Sequence, residues 1–186
     1  VTGLPFIVPG GRFNEMYGWD SYFSVLGLLK SVEENDRCRV DNLFVAKSMV
    51  DNFVYQLLHY GKILNANRSY YLLRSQPPFL TATAWPVFLE LVKFIENPSR
   101  ITGAPVEEQL LGEDPLAWLK SVCIAAIWEY ENVWTCEPRF VESCGLSRYY
   151  GAGRGLPPET EESHFNEVLK RFSTAAGSED PHEIAQ

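Results

Sequence analysis

The chain has 186 residues, 46% of them hydrophobic and 13% aromatic, enough for one domain with a real core and too apolar for a disordered chain. Its 24 acidic residues against 16 basic ones give a net charge of −8, the wrong sign for a nucleic-acid binder. No apolar run reaches the roughly 18–20 residues of a membrane span, so neither nucleic acid nor a membrane is an expected partner.

Residue 1 is Val rather than Met, and no signal-peptide pattern opens the chain, so it reads as an internal piece of a longer protein. Residues 1–19 are rich in Val, Pro and Gly and show no helical period, which predicts an extended segment and loop. A helix is expected from Asp20, with Tyr22, Phe23, Val25, Leu26, Leu28, Leu29 and Val32 on a wide apolar face. Residues 33–39 form a charged connection. A second helix follows from about Asp41 to Tyr60, with Phe44, Val45, Met49, Phe53, Val54, Leu57 and Leu58 as its buried stripe and Gly61 as its C-terminal cap.

Residues 62–79 read as a loop. A third helix is expected from Thr81 to Ile95, facing the core with Trp85, Phe88, Leu89, Val92 and Ile95, and with Pro86 in its first turns. Residues 97–112 are polar with Pro and Gly, the composition of a surface connection. Asp114-Pro115 is a helix start, Asp as N-cap and Pro as first helical residue. That fourth helix should run to Val133 through Leu116, Leu119, Val122, Cys123, Ala126, Ile127 and Tyr130. A fifth should begin near Glu161 and reach Phe172. The elements are mostly α, separated by long loops that carry the unusual residues.

Cys38, Cys123, Cys136 and Cys144 show no Cys-x-x-Cys spacing, so free thiols are expected; Cys136 and Cys144 could bridge a loop in an oxidising compartment. His59, His164 and His182 lack partners at catalytic spacing. No Ser-His-Asp order, phosphate cradle or metal cluster is visible, so no metal and no cofactor is assigned.

The densest chemistry lies in Pro9-Gly10-Gly11-Arg12-Phe13-Asn14-Glu15-Met16-Tyr17-Gly18-Trp19-Asp20-Ser21-Tyr22. A Gly-rich turn, an arginine, aromatic rings and two carboxylates suit a flat, hydroxyl-rich ligand. A ring covers the C–H face of a sugar, a carboxylate accepts from its hydroxyls, and a guanidinium donates to others. A second stretch, Asn65 to Phe79, adds two Asn, two Arg, a Gln and two Tyr. Amides donate and accept together, as sugar hydroxyls do, and Pro77-Pro78 fixes the approach of Gln76.

The first stretch fills every fixed position of Pro-Gly-Gly-Arg-Phe-x-Glu-x-Tyr-x-Trp-Asp-x-Tyr, a pattern that resembles the trehalase family of glycoside hydrolases. The second resembles the family's Asn-x-Asn-Arg-Ser-Tyr-Tyr-Leu-x-Arg-Ser-Gln-Pro-Pro block, in wording nearest to the fungal neutral trehalases. A third, Gly155-Leu156-Pro157-Pro158-Glu159-Thr160-Glu161, is similar to a further segment of theirs, with Pro157 where bacterial relatives have arginine.

The resemblance implies an all-α fold, the (α/α)6 toroid. Too few helices are expected here to close it, so residues 1–186 would be an incomplete arc, the N-terminal part of a catalytic domain. It implies that Arg12, Trp19, Asp20, Asn65, Arg74, Ser75, Gln76 and Glu159 line the glucose-binding subsites. For Arg68 two readings stand: sugar contact, or an ion pair with a buried carboxylate such as Glu15. The implied reaction is hydrolysis of trehalose to two glucose molecules by an inverting acid and base, in the cytoplasm.

In the family the general acid is an Asp in Arg-x-Ser-Gly-x-Asp, and the base is a Glu near Gln-Trp-Asp-x-Pro. Neither segment occurs in these 186 residues, so no catalytic residue is assigned and the isolated chain is expected to be inactive. A non-catalytic trehalose sensor and a different toroidal glycosidase are the alternatives. Neutral trehalases also carry a regulatory region with a calcium site and phosphoserine-dependent protein partners, none of it encoded here. The connections near 33–42 and 97–114 exceed what the resemblance implies, and two readings stand: genuine surface insertions, or retained sequence from a faulty gene model.

Overall fold

The computed structural model describes residues 3–34, 39–97, 105–153, 161, 163–167 and 169–170. Among these residues five complete α-helices follow the extended opening segment: α1 (Gly18–Glu34), α2 (Arg39–Tyr60), α3 (Leu80–Glu96), α4 (Pro105–Leu111) and α5 (Pro115–Glu129). A five-residue π turn, Tyr130–Trp134, prolongs α5, and a short antiparallel pair follows, β1 (Phe140–Val141) with β2 (Leu146–Ser147). Helix α1 packs on α2 and α3, and α2 packs on α3, α4 and α5.

The helix ends follow their local chemistry. The Asp114 carboxylate accepts from the backbone N–H groups of Leu116 and Ala117, and Pro115 occupies the first helical position, where no N–H is needed. Gly61 takes a φ of 66° and donates its N–H to the Leu57 carbonyl, closing α2. Pro86 sits at the seventh residue of α3, one residue deeper than the expected start at Thr81 places it and past the positions whose N–H groups are free in any helix.

The core joins Val25 and Leu29 of α1 to Leu43, Met49, Val50 and Phe53 of α2. Val87, Leu91 and Phe94 of α3 and Trp118 and Val122 of α5 complete it. Val25, Leu29, Met49, Phe53 and Val122 lie on the stripes the periodicity selects, and the other core residues named here do not. In α2 Leu58 is 79% exposed while Leu43, Ala46 and Val50 are buried. In α3 Trp85 is exposed and Ala84, Val87 and Leu91 face inward. In α5 Leu116, Ile127 and Tyr130 are exposed, and Trp118, Val122 and Ala125 are buried. Helices apolar on more than one side leave the inward face open, and neighbouring helices decide it. An apolar groove of about 440 Å³ runs between α2 and α5, lined by Val54, Leu57, Leu58, Ile124 and Trp128.

Two further corrections concern connections. The stretch 97–112 is not a plain loop: it contains α4, whose Leu110 is buried in the core. The charged connection 33–39 is shorter than expected, since α1 continues to Glu34 and α2 starts at Arg39. The fifth predicted helix lies mostly outside the described residues; Asn166, Glu167, Leu169 and Lys170 are helical. Cys123, Cys136 and Cys144 are free thiols, while Cys38 and His182 lie outside the described residues. Lys47 of α2 lies 2.8 Å from both Asp51 and Glu113. Asp51 also accepts from Trp118 Nε1 at 2.7 Å, fastening α2 to the start of α5.

Candidate sugar-binding site

The two dense stretches of the sequence meet. Tyr17 and Ala66 form an antiparallel bridge, and the Met16 N–H donates to Asn67 Oδ1 at 2.8 Å. Gln76 Oε1 accepts from the Trp19 N–H at 2.7 Å, giving α1's first turn a side-chain acceptor from the second stretch. The approach is close: a Cβ on Gly18 would lie 3.1 Å from Gln76 Cβ. Gly18 is thus a spacing requirement of the junction.

Beneath it lies a polar cluster. Glu15 is buried, and its Oε1 stands 3.0 Å from Arg68 Nε, the structural pairing that was one of the two readings for that arginine. The Tyr17 and Tyr70 hydroxyls donate to the same carboxylate at 3.3 and 3.4 Å, and the Tyr17 and Tyr71 hydroxyls are 3.5 Å apart. Burial pushes the Glu15 pKa up, but the hydrogen bonds from Arg68 and Tyr17 and the arginine's charge outweigh it, so the carboxyl titrates below its ordinary value. Burial, the Tyr71 hydroxyl and the Glu15 charge all push Tyr17 upward, so its phenol stays protonated.

Above this cluster stand the predicted site residues. Arg12 is exposed on a turn closed by two hydrogen bonds between the Gly10 and Phe13 backbones, and Gly10 and Gly11 take φ of 98° and 61°. Trp19 is 45% exposed, with its ring edge-on to Phe79. Asp20 lies half-buried in the first turn of α1, where the helix N-terminus favours a negative charge. Among the described residues its carboxylate makes no hydrogen bond or ion pair.

Asn65 donates its N–H to the Arg74 carbonyl at 3.0 Å. The Arg74 guanidinium lies over the Tyr71 ring, 5.2 Å from its centre, and its stem rests against Gly151, where a Cβ would come within 2.9 Å of Arg74 Cγ. Ser75 is fully buried, while Arg74 and Gln76 on either side are half-buried. Asn65 is thus tied to Arg74, and Gln76 to Trp19. Arg12 and Asp20 flank these contacts in sequence, and among the described residues no hydrogen bond joins their side chains to the others. Glu159, with its Pro157-Pro158 context, lies outside the described residues.

The sequence profile of the family Trehalase matches residues 1–185. The chain belongs to the trehalase family. It is 47% identical over 177 residues to "Cytosolic neutral trehalase" of Saccharomyces cerevisiae, covering 95% of this chain and 20% of the relative. It is 50% identical over 179 residues to the protein of the same name from Beauveria bassiana, covering 96% and 20%. "Probable trehalase" of Eremothecium gossypii is 47% identical over 173 residues, with 93% and 20% covered. The chain therefore spans about a fifth of the length of these relatives. In three dimensions it is similar to "Neutral trehalase Nth1 from Saccharomyces cerevisiae", with a TM-score of 0.70 at 46% identity, over 93% of this chain and 27% of that one. The helices form an incomplete arc of the (α/α)6 barrel, as the motifs led us to expect.

The trehalase-family arc also holds a buried group that sequence reading passed over. Glu129, at the end of α5, is 2% exposed and accepts from Trp134 Nε1 at 3.3 Å. Burial pushes its carboxyl up to about 7, against the smaller opposing pulls of the Trp134 hydrogen bond and the Arg139 charge. It lines a cavity of about 220 Å³ with Pro78, Leu80, Thr81, Ala126, Tyr130 and Trp134. Arg139, 8% exposed, donates to Ser75 Oγ at 2.8 Å and to the Tyr150 carbonyl at 3.2 Å. Burial lowers its pKa, opposed by Cys136, Tyr149 and Glu129. Lys62 is lowered too, by burial and then by the Arg139 charge. Glu129 was detectable as a carboxylate four residues after Ala125, on the face of Trp118, Val122 and Ala125. Arg139 had no such signal.

Proposed function

We propose that residues 1–186 form the N-terminal part of a trehalase catalytic domain and supply the substrate-binding face for hydrolysis of trehalose to two glucose molecules. The supporting observation is the junction of the two motifs, where the Tyr17–Ala66 bridge and the Gln76–Trp19 hydrogen bond bring two hydroxyl-recognising segments side by side. In this reading the Trp19 ring covers the C–H face of a glucose unit. Asp20 accepts from its hydroxyls, Arg12 and Arg74 donate to others, and Asn65 and Gln76 set orientation, with the fully buried Ser75 supporting Arg74 and Gln76 from behind. Glu159 adds a further carboxylate contact.

Trehalose joins two glucose units through both anomeric carbons. An inverting enzyme cleaves it with one carboxylic acid that protonates the bridging oxygen. A second carboxylate, about 6.5–9.5 Å away, activates water on the opposite face. In our reading neither group belongs to this chain, whose residues bind and orient the sugar while other segments of the parent protein carry the acid and base. By likeness to relatives named cytosolic neutral trehalases, we place the parent protein in the cytosol. Calorimetric titration of the chain with trehalose, with maltose as control, tests binding, and a glucose-release assay tests the division of labour. Trehalose binding without turnover is expected. Preference for maltose, or turnover near that of an intact trehalase, would refute the reading.

A further inference from the structure

Arg139 belongs to none of the three motifs, yet it reaches the centre of the second one. It lies at the end of the turn that follows Trp134, next to β1, and its carbonyl accepts from the Arg148 N–H at 2.8 Å. One guanidinium nitrogen serves two segments at once, donating to Ser75 Oγ at 2.8 Å and to the Tyr150 carbonyl at 3.2 Å. Close by, the Ala152 N–H donates to the Leu73 carbonyl at 3.1 Å. The strip 73–76 is therefore laced to 150–152 at two points, and Gly151 between them leaves no room for a Cβ beside the stem of Arg74.

Burial alternates along the strip: Arg74 half-buried, Ser75 fully buried, Gln76 half-buried. In an extended chain neighbouring side chains point to opposite sides. Drawing Ser75 inward therefore turns Arg74 and Gln76 outward together. Gln76 passes the constraint on, since its Oε1 holds the Trp19 N–H, and Trp19 and Asp20 open α1. Arg139, Ser75, Gln76 and Trp19 form one connected series across both motifs. Arg139 Nε is sealed from solvent with no acceptor among the described residues. A planar guanidinium fixes the direction of each bond it donates, whereas an ammonium on a flexible stem does not.

We propose that Arg139 is a positioning residue for sugar binding: it anchors Ser75 so that Arg74 and Gln76 face one ligand and Gln76 holds the start of α1. The proposal rests on the trehalose-binding reading given above. Two readouts on the full chain separate the two ideas. The first is trehalose affinity of Arg139→Lys, Ser75→Ala and the double variant. Each single change should weaken binding about tenfold, the scale of one lost hydrogen bond to a charged group. The double variant should be no weaker than the worse single one, because both changes break the same link.

The second readout is hydrogen exchange at the Trp19 amide. It should speed up in both single variants while the amide of Phe94 in the core stays unchanged. Folded variants with undiminished affinity, multiplicative losses in the double variant, or equal acceleration at Trp19 and Phe94 would each overturn the proposal. Should Arg139→Lys fail to fold, Ser75→Ala decides alone, and unchanged binding and exchange there refute the link. Should the wild-type chain fail to bind trehalose, the functional reading falls, and exchange at Trp19 still reports whether Arg139 organises the strip.

Discussion

Replacing Glu129 by glutamine should change the way stability depends on pH. The side chain is sealed under Trp134, with the cavity lined by Pro78, Leu80, Thr81 and Tyr130 on one side and the Arg139 charge nearby. Its carboxyl moves from an ordinary 4.5 to about 7, and the attraction of Arg139 is already included in that value. Each tenfold change in proton affinity is worth about 1.4 kcal/mol, so ionising Glu129 in the folded chain costs about 3 kcal/mol.

The sign follows from proton linkage. Between pH 4.5 and about 7 the folded chain holds a proton that the unfolded chain has released. Stability from this group is therefore complete at the acid end and falls as pH rises through that window. Glutamine keeps an oxygen for Trp134 Nε1 and has no proton to lose. Urea unfolding of both proteins at pH 5 and pH 8 isolates this group from the other carboxylates. At pH 5 the variant should be more stable by less than about 1 kcal/mol, and at pH 8 by about 3 kcal/mol, on the scale set above. Parallel pH profiles, or a variant less stable at pH 8, would show that burial does not govern this carboxyl.

Asp114→Ala removes both hydrogen bonds at the start of α5; chemical denaturation should show a loss of about 1 kcal/mol with an unchanged denaturant slope. Phe94→Ala empties a core position fully enclosed by α3 and its neighbours; a loss of about 3–5 kcal/mol is expected in the same measurement. Gly151→Ala places a methyl group 2.9 Å from Arg74 Cγ. Trehalose affinity should fall while the cooperative unfolding transition is retained, as calorimetry alongside thermal melting would show.

Local chemistry was legible wherever a few adjacent residues settle it. Asp114-Pro115 marks a helix start because the cap and the missing N–H act within four residues. Gly61 marks an end because its backbone takes the left-handed conformation. The Glu15–Arg68 pair was one of two readings because a buried motif carboxylate needs a partner and a motif arginine can supply it. The inward faces of α2 and α5 were legible only in part, through Met49, Phe53, Leu57 and Val122, and none of the five positions expected in α3 is fully buried. Leu58, Trp85 and Ile127 are as apolar as the residues that fill the core, and only the neighbouring helices distinguish them. Helix α4 was hidden because only seven residues carry it, in a polar stretch where Leu110 alone of its described side chains is buried.

The sequence by itself determined the family and the order of α1, α2, α3 and α5, because these reside in contiguous motifs and in signals that act within a turn or two. Tertiary structure decided which helix faces turn inward and which distant residues support the motifs. Ser75 lies 64 positions from Arg139, and Trp19 lies 57 from Gln76. No local pattern encodes such pairs; they form only when packing brings buried polar groups within reach of one another and leaves each to find its partner there.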